Sequence, residues 1–321
     1  SVRLQPDRGH IMKRTLLALA ILSALLPATA VAQTPGAPKK LALVGGMLID
    51  GYEVPPVHHA AVLIEGPKIG WVGPAADAKI PPDATVIDTS GRVMMPGLVE
   101  LHAHLVLLGH GNYSRWFPWV AERHLAERVM EISARQLLMA GITSAVDLGG
   151  PLKESLSVRD RVRRGEIPGP RLWMAGLWLP RGEGDKGPLQ FGWGERLDTP
   201  EGMVGAVEQL AAAGVDVIKA YTNLTPAHYR AIVETAHKHN LRVHAHVYAE
   251  RDVRNALEAG VDVLTHAGSA GTVPPYSQEL IRDIVNAGRP VVVTAAHRSW
   301  IYPSTADFPE RLQDPQLKAD F

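Results

Sequence analysis

Hydrophobic and polar positions along this chain fall into three regimes. Residues 16–26 form an apolar run of eleven, interrupted only by Ser23. From Leu41 to Met95 the pattern is short and β-branched. LALVGGMLID, AAVLIEG, KIGWVG and ATVIDTSGRV are separated by Gly, Pro or Asp, and none shows a 3.6-residue period. That spacing predicts strands and turns, hence a small β domain over 41–95. After Pro96 apolar strand-like runs alternate with helical patterns. Strands are expected near 98, 143, 172, 216, 242, 262 and 291. Helices are expected over 118–140, 200–213, 226–239, 252–259 and 277–287. Thr199-Pro200 and Thr225-Pro226 read as N-cap plus N1-proline starts. Gly141, Gly214, Gly260 and Gly288 each stand where a left-handed C-cap belongs. Repeated β-α packaging of this kind predicts a parallel sheet.

About seven strands are legible. A (β/α)8 TIM-type barrel needs eight and typically about 250 residues, whereas 226 run from Pro96 to Phe321. The last stretch, SWIYPSTADFPERLQDPQLKADF, is polar and punctuated by proline. An incomplete barrel of residues 96–321, lacking strand 8, is therefore one expectation. A seven-stranded doubly wound sheet is the alternative.

The N-terminal run changes the picture of what the mature protein contains. Lys13 and Arg14 after Met12 form a basic n-region, the apolar run is an h-region, and Ala30-Val31-Ala32 offers a cleavage site before Gln33. Residues 1–11 are then upstream sequence, 12–32 a signal peptide and 33–40 a linker. The run is too short for a membrane span, which takes about 20 residues. Export to a bacterial periplasm or the medium is expected, with no stable membrane span after cleavage. Composition is ordinary: 46% hydrophobic, 21% charged, 33 basic against 33 acidic residues. Balanced charge gives no general argument for nucleic-acid binding. With no cysteine, disulfides, thiolate metal sites, thiol nucleophiles and a lipid-anchored N-terminus are excluded.

The candidate chemistry sits at the strand ends. His102-Ala103-His104 closes the first strand after Pro96, and residues i and i+2 of a strand point the same way, so two imidazoles can reach one metal ion. Lys219 ends VDVIKAY, a strand expected to be buried on both faces, where an ammonium would be desolvated. His244-Ala245-His246 ends LRVHAH, and His266 ends VDVLTH. Five histidines and a lysine thus fall at the C-terminal ends of parallel strands, where β/α barrels place catalysis.

On these residues the chain resembles the amidohydrolase superfamily. GRVMMPGLVELHAHL is similar to the family's first barrel strand, IKAYTN to the strand bearing its carbamylated lysine, and HAHVYAERDVRNALEAGVDVLTHAG to its fifth and sixth strands. The segment before Pro96 resembles part of its composite β domain. Similarity runs from Leu41 to about Ala296, and the nearest branch is the imidazolonepropionase-like and Xaa-Pro dipeptidase-like group. The resemblance implies two divalent metal ions, zinc by the donor chemistry, and carbon dioxide to carbamylate Lys219. It makes His102, His104, Lys219, His246 and His266 the ligands. For the fifth-strand ligand His244 and His246 both remain open; the twenty-residue spacing to His266 that the branch keeps favours His246.

The activity implied is hydrolysis of an amide or peptide bond, for instance of a dipeptide, by a metal-bridging hydroxide. A mononuclear deaminase or cyclic-amide hydrolase is the alternative, and a catalytically inactive fragment a third. The family's general-base aspartate on strand eight is absent from this chain: Asp307, Asp314 and Asp320 lie in the polar tail, and a truncated chain is expected. Tyr221, His244 and Arg298 are candidate substrate contacts, and the loop 180–194, with Phe191 and Trp193, a candidate lid. A homo-oligomer is compatible with everything above.

Overall fold

The fold is described from a computed structural model, over residues 39–294 without 53, 108–112, 183–196 and 269–275. The expected upstream residues, signal peptide, most of the linker, Arg298 and the lid residues Phe191 and Trp193 lie outside the described residues. The chain divides into two compact units, 1–95 and 96–321.

The first unit is built from strands β1 (Lys40–Val44), β2 (Met47–Leu48), β3 (Ala60–Glu65), β4 (Lys68–Pro74), β5 (Thr85–Asp88) and β6 (Val93–Met94). One sheet runs β4-β3-β1-β5, and β2 pairs with β6. Strands β1 and β3 are antiparallel, whereas β1 and β5 are parallel. Leu48, Ala60, Val62 and Met94 form its small core.

In the second unit, β7 (Leu98–Ala103) is followed by α1 (Tyr113–Glu122) and α2 (Ala126–Met139). These two helices replace the single one expected over 118–140. The break falls at His124, whose φ of 51° is left-handed and cannot continue a right-handed helix. Next come β8 (Ile142–Asp147), α3 (Leu152–Arg163), β9 (Arg171–Met174), α4 (Pro200–Ala213) and β10 (Val217–Ala220). Then follow α5 (Pro226–Lys238), β11 (Arg242–His246), α6 (Glu250–Glu258), β12 (Val263–Thr265), α7 (Gln278–Ala287) and β13 (Val291–Val292). The Thr199 and Thr225 side chains accept hydrogen bonds from the N–H groups of Gly202 and His228. Gly141, Gly214, Gly260 and Gly288 all have positive φ, so the chain leaves four helices through residues without the Cβ penalty.

Helix α3 escapes the periodicity reading because two of its buried positions are polar, Ser155 and Arg159 beside Val158. Burial of a guanidinium requires partners. Arg159 Nη1 donates to Gly214 O (2.7 Å) and Asp216 Oδ2 (2.9 Å), and its Nε to Asp160 Oδ1 (2.8 Å). Asp216 in turn accepts from the Met174 N–H at 2.9 Å. The arginine therefore ties α3 to the chain entering β10. Arg159→Met is expected to destabilise the fold by about 3 kcal/mol, the low end of the cost of breaking a buried pair, because Arg163 still reaches Asp216 at 2.8 Å. Urea unfolding of the two proteins measures it.

Strands β7-β8-β9 pair in parallel, as do β10-β11-β12-β13. A parallel bridge from Leu179 to Ala220 joins the two sets. The Leu179 N–H donates to Lys219 O (2.9 Å), and the Tyr221 N–H to Leu179 O (3.0 Å). Among the described residues seven strands thus follow one another in chain order, with helices between them. A doubly wound sheet reverses its strand order at a switch point; this one does not, which makes it an arc of a β/α barrel. Its larger core packs α4, α5 and α6 on β10–β12 through Val207, Leu210, Ile218, Ile232, Val243 and Leu264.

Candidate metal centre

Strand β7 reaches the site through an irregularity. Its register with β8 shifts between Glu100 and Ala103, and the His102 N–H donates to Glu100 Oε1 at 2.9 Å. Such bulges re-aim side chains at strand ends. Here the His102 and His104 Nε2 atoms come to 3.1 Å of each other. His104 Nδ1–H donates to Gly149 O at 3.2 Å, which leaves Nε2 as the nitrogen that faces His102. Burial, then the nearby Lys219 and the other imidazoles, hold the His102 pKa well below its ordinary value.

Six rings close a circuit. His102 lies 5.0 Å from His104 and 4.5 Å from His266; His246 lies 4.5 Å from His266 and 4.7 Å from Tyr221. Trp178 stacks on Tyr221 at 4.7 Å and meets His104 edge-on at 5.5 Å. Tyr248 flanks His246 and His266, its carbonyl held by the Tyr276 hydroxyl, which donates to it at 2.7 Å. His266 carries a left-handed φ of 69°, a conformation non-glycine residues adopt at a cost of about 1–3 kcal/mol. Its N–H donates to Val292 O at 2.8 Å, and its Nδ1 lies 2.9 Å from Thr294 Oγ1.

Lys219 is fully buried on β10. Its Nζ donates to Thr265 Oγ1 (2.9 Å), whose hydroxyl donates to Ala245 O (2.6 Å). Burial pushes its pKa down to about 7, which gives a neutral amine an appreciable population at physiological pH. His244, opposite Lys219 in the ladder, is buried, and burial followed by Lys219 lowers it to about 4. It is not one of the six rings, and its Nδ1 has no hydrogen-bond partner.

The structure thus brings His102, His104, His246, His266 and Tyr221 together, places Lys219 beneath them, and sets His244 deeper. Sequence reasoning passed over Trp178, Tyr248, Thr265 and Asp147. Asp147 left a readable signal: it is an acidic residue ending an apolar strand, as His104 ends the neighbouring one. It is fully buried, and burial raises its pKa to about 7 against the hydrogen bonds it accepts from the Leu105 and Gly149 N–H groups.

The donors suit a metal ion. Zinc–imidazole bonds of about 2.0–2.1 Å at a tetrahedral angle set two ligating nitrogens roughly 3.3 Å apart, close to the 3.1 Å between the His102 and His104 nitrogens. Among the described residues no three His, Cys, Asp or Glu side chains already form a site for an ion; the pair is the preformed element.

An arc of parallel β/α barrel with imidazoles and a buried lysine gathered at its strand ends has the layout in which such barrels place catalysis. Residues 93–315 match the model of the Amidohydrolase family, and the chain belongs to that family. Ochratoxinase of Aspergillus niger is 27% identical over 269 residues, covering 71% of this chain and 54% of its own length. The chain therefore spans about half of that relative. Imidazolonepropionase of Cereibacter sphaeroides is 46% identical over 63 residues, 19% of this chain and 15% of that protein. A Xaa-Pro dipeptidase solved with methionine in its active site superposes with a TM-score of 0.71 at 21% identity, over 84% of this chain and 70% of that one. That likeness shows the fold, a TIM-like barrel.

Proposed function

We propose that the protein is an exported, metal-dependent hydrolase of C–N bonds in amides or dipeptides, using two divalent ions of the zinc type. The observation that carries this is the facing pair of imidazole nitrogens, His102 Nε2 and His104 Nε2, 3.1 Å apart, beside a buried amine. Membership of the amidohydrolase family supports it. The dipeptide class is taken from the name of the Xaa-Pro dipeptidase neighbour, and export from the basic, apolar and small-residue order of residues 12–32.

His102 and His104 would hold one ion, and His246 and His266 the other. Lys219 lies between the two sets in sequence and is the candidate bridge. Its neutral Nζ would form a bond to the carbon of carbon dioxide and release one proton to water, leaving a carbamate that is anionic and attracted to cations. When bound, ions of this kind supply a water of lowered pKa and polarise a carbonyl oxygen. The residues of this chain orient and exclude. Thr265 accepts from Lys219 and fixes the direction of its amine. Trp178 and Tyr221 form a stacked wall along one side of the imidazoles, against which an apolar part of a substrate can lie.

Metal content of the intact protein after dialysis, together with amino-acid release from a dipeptide panel, tests the proposal. About two zinc-like ions per chain and turnover that a chelator abolishes are expected. Turnover that survives removal of all metal would sink it. One ion per chain, unchanged by Lys219→Ala, would select a mononuclear site.

A further inference from the structure

We propose that Asp147 is a positioning residue for His104, acting through the backbone of residues 105 and 149. The Asp147 Oδ2 accepts from the Leu105 N–H at 2.7 Å and its Oδ1 from the Gly149 N–H at 3.0 Å. These two amides flank the imidazole. Leu105 follows His104 in the chain, and the Gly149 carbonyl accepts the His104 Nδ1–H. One enclosed carboxylate therefore sets both the point from which the ring leaves β7 and the acceptor that decides which of its nitrogens carries the proton.

The neighbouring contacts leave this module little room to shift. Leu148 N–H donates to Ala103 O (2.9 Å), and Gly150 N–H to Gly176 O (3.0 Å). A Cβ on Gly149 would stand 2.2 Å from the Trp178 ring, so only glycine lets the indole close over this carbonyl and meet His104 edge-on. Partners of this second rank typically cost 10–100-fold in metal affinity when removed.

The inference rests on His104 being a ligand, as proposed above, only for its consequence on metal; the tautomer is testable without any ion. The experiment uses the full chain with ¹⁵N-labelled histidine. In the metal-free wild type His104 is expected to be a single Nδ1–H tautomer. In Asp147→Asn the amide cannot accept at both positions, and His104 is expected to become a mixture of tautomers. Zinc affinity, read by chelator competition, is expected to fall about 10–100-fold, and Asp147→Ser supplies the same comparison should the asparagine variant not fold. A wild-type His104 that already mixes tautomers overturns the proposal without reference to any variant. So does a folded variant that keeps the single tautomer. A wild type that binds no zinc but shows the tautomer change would retire the metal reading and leave the positioning role standing.

Discussion

Replacing Lys219 by alanine in the intact protein is expected to lower kcat/KM for amide hydrolysis by more than about 100-fold, since even outer partners of metal ligands cost 10–100-fold. Lys219 is fully buried, and its Nζ donates to the Thr265 hydroxyl. Alanine removes the nitrogen that would bond to carbon dioxide and leaves space for a small solute. Acetate or propionate added in solution should therefore restore part of the rate, as a short carboxylate in the vacated volume replaces the missing anion. Loss without rescue, accompanied by a lower melting temperature, would indicate a structural role instead. Unchanged turnover would remove Lys219 from the chemistry.

The same lysine is expected to weaken the fold, and pH reveals by how much. Burial holds its folded pKa at about 7 against 10.5 for the ordinary side chain. Between those values the unfolded chain binds more protons than the folded one, so stability rises with pH across the window. Below about pH 7 the cost of burying the ammonium is complete, of order 5 kcal/mol at 1.36 kcal/mol per pKa unit. Above pH 10.5 it has vanished. Lys219→Met, similar in volume and uncharged, should therefore be more stable than the wild type at pH 6, with the gap closing as pH rises. Thr265 stays satisfied in the variant through Ala245 O. Urea unfolding of metal-free protein in carbonate-free buffer at pH 6, 8 and 10 measures this; a gap independent of pH would mean that the amine is not buried.

The two variants together separate ligand from scaffold. Arg159 is the contrasting case, a buried cation fully paired with Asp216, Asp160 and Gly214 O. Loss of Arg159 is expected to weaken the fold, whereas loss of the Lys219 amine is expected to strengthen it at pH 6.

Much of this architecture was legible in the chain because local rules were obeyed. The Thr-Pro starts at 199–200 and 225–226 and the glycines at 214 and 288 bound their helices through capping that needs only neighbouring residues. The period-two placement of His102 with His104 reads directly from strand geometry. What stayed hidden depends on partners distant in sequence. Helix α3 buries Arg159 because Asp216 lies 57 residues away to receive it, so its apolar stripe is incomplete when read alone. The break at His124 is a backbone conformation that no apolar period encodes. Strand-end placement nominates His244 and His246 alike, and the twenty-residue spacing that the family resemblance implies favours His246. Only the folded strands carry the ring of His246 to 4.5 Å from His266 and bury His244 against Lys219. Asp147 shows the same division most clearly. Its place at a strand end was written in the sequence, but its hold on His104 exists only because β7 and β8 pair, bringing residues 42 positions apart within one hydrogen bond.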